Sequence, residues 1–427
     1  MKQIINVVDA PCGYGKTSWA IQAMNEASTT SHHFIYVTPF LNEVERVKET
    51  VSNRMFHEPL ATGSGTTKLE SLHQLLREKK DICTTHALFQ SANAETRRLL
   101  KDSGYTLILD EVLNVIEQVD LKRNDLQLLL KSGAISIEAN NLGIKYIQWN
   151  DEFKDSQTKY DKEKNMALTG NLLYCSDSVL IWNLPCDMFK LFDHVYLLTY
   201  LFSGQLQRYY YDLHNIQYRY LSVTKEEQGY QLVPYDQRTP QDKVQLRELV
   251  DVYQGNLNDI GSKINALSST WLKKPENQTP LKKNAYNFLT NKVKATTSNS
   301  LWTTILHSKK NVAPRNFAKA FIPVNARATN EYKDRFNLAY LANRYMLVME
   351  KKFFEQYGVN VDQDIWALSE LIQWVWRSRI RDGKPINLYL PSSRMRTLLK
   401  LYLTSDVFET PPVGAITNQH PSDWNFA

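Results

Sequence analysis

Short apolar runs separated by amphipathic stretches organise the first half of the chain. Residues 4–8, 34–37, 82–83, 105–109 and 195–200 are each short and apolar enough for a buried strand. A Gly-rich turn follows the first run and leads into a helix opening near Lys16. Residues 41–51 repeat apolar and charged positions at helical spacing. Strands alternating with helices predict a parallel sheet covered on both faces. Past Gly204 the texture changes. Residues 205–233 carry many tyrosines and read as strands or hairpins, while 236–312 is polar, rich in Lys and Asn and broken by prolines, and reads as helical. From Phe321 the alternation returns, with a long helix over 364–380 and a strand over 386–390. The stretch after Thr410 holds three prolines and little pattern, and no fixed repeat runs through the chain.

Chemistry enters at Ala10-Pro11-Cys12-Gly13-Tyr14-Gly15-Lys16-Thr17, with Ser18 next. This segment follows a strand and opens a helix, where backbone N–H groups cradle phosphates. In that reading Ala10 to Ser18 bind ATP, Lys16 brings charge to the β- and γ-phosphates, and the Thr17 hydroxyl holds Mg²⁺. In the segment 107–113 an apolar strand ends in Asp110 and Glu111, delivering both to the same sheet edge. Asp110 is expected to complete the Mg²⁺ shell, and Glu111 to orient and deprotonate the attacking water. Two further strand ends, Tyr36-Val37-Thr38-Pro39-Phe40 and Asp81 to Phe89, present hydroxyls and amides. They make Thr38, Pro39, Thr84, Thr85 and His86 candidates for the phosphates of a nucleic-acid strand. In Gln373 to Gly383, a continuous helix places Gln373, Arg377 and Arg381 on one face. An arginine there stabilises charge building on a transferred phosphoryl group. Taken singly, each segment also has a bland reading as a Gly-rich turn, a solvated helix start, a cap or a basic helix face. Their order along the chain favours the chemistry.

In that order the segments resemble motifs I, Ia, Ic, II, III and VI of superfamily 2 helicases. Leu197-Leu198-Thr199-Tyr200 with Gly204 corresponds to motif III, and Asn325 to Tyr332 to motif V. The whole chain is similar to small DEAD/DEAH-type helicases carried by bacteriophages of Gram-positive bacteria. The resemblance implies an α/β fold of two tandem RecA-like P-loop domains with ATP between them. The first would span residues 1–204 and the second 205–427, with a mostly helical insertion at about 236–312. It also implies that Arg327 and Asn330 contact nucleic acid, and that ATP hydrolysis drives a helicase or translocase on single-stranded or forked DNA. The chain departs from the pattern in two places. Motif II reads Asp110-Glu111-Val112-Leu113 rather than Asp-Glu-Ala-Asp. Trp376 stands where motif VI has Gly and the second arginine is displaced by one residue, which leaves Arg379 and Arg381 both open as the finger.

Composition adds less. The net charge of +6 permits a polyanionic partner without demanding one. Between Leu371 and Lys400 seven basic residues face one acid, Asp382. Four cysteines without a C-x-x-C pair argue for a reduced, intracellular protein rather than a metal or disulfide framework; the resemblance to phage-borne helicases implies the cytoplasm of a bacterial host. The first residues run straight into the P-loop, unlike a signal peptide. The longest apolar run, 195–202, is too short for a bilayer. A monomer acting with nucleic acid and replication proteins, away from membranes, fits these features. Two rivals are an ATP-switch regulatory protein binding a replication or defence partner, and a phage packaging ATPase. The arginines of 373–383 count against the switch. The sequence displays no clear nuclease or ring interface to favour packaging.

Overall fold

The computed structural model describes residues 3–62, 65–175, 179–238, 240–325, 331–411 and 415–416. Among the described residues, seventeen strands build three sheets. In chain order they are β1 (Ile4–Asp9), β2 (His33–Thr38), β3 (Phe56–His57), β4 (Asp81–Thr85), β5 (Tyr105–Asp110), β6 (Ile116–Val119), β7 (Ile135–Ala139), β8 (Lys145–Trp149), β9 (Leu172–Tyr174), β10 (Leu180–Asn183), β11 (His194–Thr199), β12 (Gln217–Glu226), β13 (Gly229–Pro234), β14 (Val250–Val252), β15 (Ser300–Thr303), β16 (Asn337–Tyr340) and β17 (Ile386–Tyr389).

The first sheet has the order β13-β12-β1-β11-β5-β2-β4-β3 and is parallel except at β13. Its central strands are buried on both faces. Every residue of β5 is buried, as is every residue of β1 after Ile4, which is why they read as mainly apolar runs broken only by Asn6 and Thr106 before their terminal aspartates. Register brings the functional ends level. Asp9 lies beside Thr199, and Leu198 beside Asp110.

Residues 206–213 are a helix, not strands, with Tyr209, Tyr210 and Tyr211 all inside. Residues 217–234 do form a hairpin, but it belongs to the first sheet, with β12 parallel to β1. The first domain therefore runs past the expected boundary at 204. An insertion interrupts it between β5 and β11. There β6-β10-β9-β8-β7 make an antiparallel sheet with helices Arg123–Lys131 and Asp161–Leu168 against its own small core. Its stem is the β6–β10 pair, extended by the Leu184 amide donating to the Val115 carbonyl at 2.9 Å.

The second α/β unit is the parallel sheet β14-β17-β16-β15. The stretch expected as an insertion at 236–312 supplies two of its strands, β14 and β15. The helices between them, chiefly Pro275–Asn287, form the crossover that covers one face of this sheet. Helices are there as expected, but they are integral to the sheet. The crossover starts tightly: a β-carbon on Gly261 would lie 1.8 Å from the Pro391 carbonyl oxygen. Gly261→Ala must push these segments apart, at an expected cost of about 1–3 kcal/mol. The check is the denaturation midpoint; an unchanged value would mean that the contact is loose.

Candidate nucleotide site

The turn after β1 cannot be built from ordinary residues. Gly13 and Gly15 have φ of +90° and +93°, and helix Lys16–Glu26 begins directly behind them. Lys16 folds over this loop, its Nζ donating to the Ala10 carbonyl at 2.5 Å and the Pro11 carbonyl at 3.2 Å. Cys12, Gly13, Gly15, Lys16, Thr17 and Ser18 line a cleft. Ala10 is buried beneath it, held by its amide to the Thr199 carbonyl at 3.2 Å. Pro11 and Tyr14 shape the loop outside the cleft lining; the Tyr14 amide donates to the Pro11 carbonyl at 3.3 Å.

The same cleft takes Asp110 and Glu111 from the end of β5. Burial pushes the Asp110 carboxyl up to about 7. The adjacent Glu111 charge adds to this, and a hydrogen bond from the Tyr36 hydroxyl at 2.9 Å opposes it. The Asp110 carbonyl is in turn 2.9 Å from His86 Nε2. A buried carboxyl this reluctant to ionise is relieved by a cation, and an Asp oxygen with the Thr17 hydroxyl is the hard donor set that Mg²⁺ accepts. The residues present fit that ion, which supplies charge neutralisation on phosphate oxygens when bound. Among the described residues no cluster of three or more His, Cys, Asp or Glu competes as a metal site. Glu111 sits in a left-handed conformation, φ +68°, and its Oε2 is buried with no hydrogen-bond partner among the described residues. Strain and an unpaired acceptor at one residue mark a position held for function.

The third contribution comes from the second unit. Gln373, Trp376, Arg377 and Arg381 line the cleft opposite the P-loop. A β-carbon on Gly13 would lie 3.5 Å from the Arg381 carbonyl oxygen, so the two halves nearly touch. The helical register expected for these residues is wrong. The helix is Gln363–Val375 and stops at Trp376, and Arg379–Asp382 is a separate 3₁₀ turn. The Ser378 hydroxyl donates back to the Val375 carbonyl at 2.7 Å, and of residues 377–383 only Ile380 is apolar. A turn, not a helix face, gathers Gln373, Arg377 and Arg381. Arg379 lies outside the cleft lining. Its Nε donates to the Pro385 carbonyl at 2.6 Å and its guanidinium lies over the Phe336 ring. Nor does the basic stretch 371–400 form a single patch. Arg394 is buried, paired with Asp364, and Arg396 donates to the Leu390 and Pro391 carbonyls.

The nucleic-acid candidates divide. Thr38, Thr84 and His86 are buried, the threonines in strands covered on both faces and His86 at the start of the short helix after β4, so their side chains are not offered to a strand on the surface. Pro39 and Thr85 are half-buried, and Arg327 and Asn330 lie outside the described residues. Sequence reasoning missed four residues in or beside the cleft. Glu43 and Arg46 form a 2.8 Å ion pair in its lining, and Tyr230 lines it from β13. Asp9 lies directly below, accepting from the Leu201 and Phe202 amides at 3.0 and 2.9 Å. Only Asp9 had a visible signal, a lone acid ending an apolar strand. No helix among the described residues is long and apolar enough to cross a membrane, and all four cysteines are free.

Known proteins bear on this arrangement at three levels. Residues 2–129 match the family described as "Type III restriction enzyme, res subunit", 116–182 the "YonV middle domain" and 244–403 the "YonV C-terminal Rossmann-like domain". The solved structure "XPD_APO" is similar at 13% identity over 97% of this chain and 96% of that one, with a TM-score of 0.50. A second, "Structure of S. tokodaii Xpd4", has 10% identity over 95% of each chain and a TM-score of 0.48. Fold and family matches together define a superfamily 2 helicase-like protein with tandem RecA-like units. At 40% identity over 93% of its length, and 98% of the relative's, this chain matches "SPbeta prophage-derived uncharacterized protein YonV" of Bacillus subtilis (strain 168), and it belongs to the YonV family.

Burial pushes the Asp9 carboxyl up to about 6, opposed by the Phe202 amide, the Lys16 charge and the Leu201 amide. The folded protein therefore holds this proton more tightly than the unfolded chain, whose Asp has the ordinary value of 3.8. Its contribution to stability grows as pH falls through 6 towards 4. Asp9→Asn removes that dependence. Moving from about pH 7 to about pH 4.5 should shift relative stability in favour of the wild type, read as denaturation midpoints of both proteins at both pH values. Parallel pH profiles would count against an ionised, buried Asp9.

Proposed function

We propose that this chain is an ATP hydrolase that moves along or separates nucleic acid, single-stranded or forked DNA in the first instance. The observation carrying this reading is that one cleft is lined by the P-loop, by Asp110 with Glu111, and by Gln373, Arg377 and Arg381 from the second unit. A regulatory switch has no need of that third group. In the mechanism, Lys16 leaves the Ala10 and Pro11 carbonyls for the β- and γ-phosphates, whose oxygens also meet the loop amides. Thr17 and Asp110 would hold Mg²⁺, which would neutralise charge on the phosphate oxygens. The unpaired Glu111 Oε2 accepts a hydrogen bond from the attacking water, orients it and takes its proton. Arg377 and Arg381 approach as the halves close, so their charge acts on the transition state rather than on the ground state. Opening and closing then shifts one unit's hold on the phosphate backbone relative to the other's.

Lys16→Ala is expected to abolish hydrolysis while leaving the fold intact. Glu111→Gln should retain nucleotide binding yet slow turnover at least about a hundredfold. Steady-state ATPase with and without single-stranded DNA reads both, and DNA should stimulate the wild type. Near-normal turnover by Lys16→Ala would refute the site, and turnover indifferent to DNA and RNA would favour the switch.

Arg377→Ala and Arg381→Ala should each lower turnover by up to about a thousandfold, with nucleotide affinity changed far less. Arg379→Ala should leave hydrolysis largely intact, since its guanidinium is spent on Pro385 and Phe336. ATPase and nucleotide binding measured on all three variants decide it. If Arg379 alone is essential, the finger is misassigned.

A further inference from the structure

The nucleoside end of the ligand has no assigned partner. Sheet order indicates where it must lie. Asp110 and Glu111 end β5, two strands from β1 on one side, whereas the β12–β13 hairpin flanks β1 on the other. A triphosphate on the P-loop whose γ end faces Glu111 and the arginines therefore points its sugar and base towards the hairpin. Tyr230 stands there. It opens β13, is half-buried, and lines the same cleft as Lys16 and Glu111.

Its placement is fixed from two directions. The ring lies against the P-loop itself, since a β-carbon on Gly15 would fall 2.1 Å from Tyr230 Cε1. Its amide donates to Gln22 Oε1 at 2.8 Å, and the preceding Gly229 has no room for a β-carbon against that same Gln22 side chain. Gln22 is on the helix that the P-loop opens, and its amide nitrogen donates to Glu26 at 2.9 Å. The aromatic side chain is thus clamped to the phosphate-binding element, and the distance from ring to phosphates is set before any ligand arrives.

We propose that Tyr230 is the base platform of this site, stacking on the purine of the bound nucleoside triphosphate. This rests on the ATP reading given above. A π face accepts any purine, so the ring contributes affinity without distinguishing adenine from guanine.

The test is calorimetric titration of the full chain with three probes: a non-hydrolysable ATP analogue, the matching GTP analogue, and inorganic tripolyphosphate, which has no base. Tyr230→Ala should weaken both nucleotides about tenfold or more and leave tripolyphosphate unchanged. Tyr230→Phe should bind as the wild type does. Tyr230→Leu, which keeps the bulk against Gly15, should behave like the alanine variant. Equal loss for nucleotides and tripolyphosphate would make Tyr230 a strut of the loop and overturn the proposal. So would unchanged nucleotide binding by Tyr230→Leu. Failure of the wild type to bind any of the probes would instead overturn the ATP reading, a distinguishable result.

Discussion

A buried carboxylate at the end of β1 governs the arrangement of the cleft. Asp9 is removed from water, and its oxygens are satisfied by the amides of Leu201 and Phe202. Those bonds hold a turn that Leu201 enters with φ of +54°. Three residues on, Gly204 lies so close to Ile365 and Trp366 that a β-carbon would be 2.6 to 2.7 Å from them. The start of helix Gln363–Val375 therefore rests on the turn, and the Tyr209 hydroxyl reinforces the seat by bonding to both the carbonyl and the amide of Asp362. Gln373 and Arg377 emerge at the far end of that helix. The chain of contacts runs from the residue before the P-loop, through a turn of the first unit, to the basic groups of the second.

A second tie lies close by. Glu409 is buried, with Lys243 on one oxygen and Arg238 at 3.9 Å from the other. The Tyr200 hydroxyl donates to it at 2.8 Å and lies 3.0 Å from the Tyr402 hydroxyl. Tyr200 follows β11, while Tyr402 and Glu409 belong to the second unit and the segment after it. A charge buried among two cations and a phenol holds its partners in place, because losing any of them leaves a desolvated carboxylate. The two units are thus joined beneath the cleft by polar contacts of fixed geometry rather than by apolar area alone.

Much of this was legible in the sequence because the central strands obey simple rules. Strands covered on both faces are mainly apolar, and those that end in Asp9, Thr38 and Asp110 are, with Asn6 and Thr106 as exceptions; the phosphate loop needs its glycines. What escaped had weaker signatures. The strands of the insertion are three to five residues long, and their alternation, as in Ile135-Ser136-Ile137-Glu138-Ala139, is too brief to stand out from loop. Tyr209 to Tyr211 suggested strand by β-propensity, yet their burial in a helix is set by tertiary packing. The spacing of Gln373, Arg377 and Arg381 suggested a helix face; the residues do converge, through a chain reversal that periodicity cannot express. Thr38 and His86 sat in the right segments but are buried, Thr38 because its strand is covered on both faces and His86 because the short helix it opens packs against the end of β5.

The stem of the five-stranded insertion has an evolutionary meaning. Val115 and Leu184 are joined by a backbone hydrogen bond, so the chain leaves the first sheet and comes back at nearly the same point. Its outer elements can lengthen, shrink or be exchanged without disturbing the register of β5 against β11, on which the acids depend, while Ile144, Leu173 and Ile181 on its inner side stay packed in the main core. The insertion is in this sense a socket fitting. Selection can alter what is mounted there, and with it what the protein engages, while the nucleotide machinery beneath keeps its geometry.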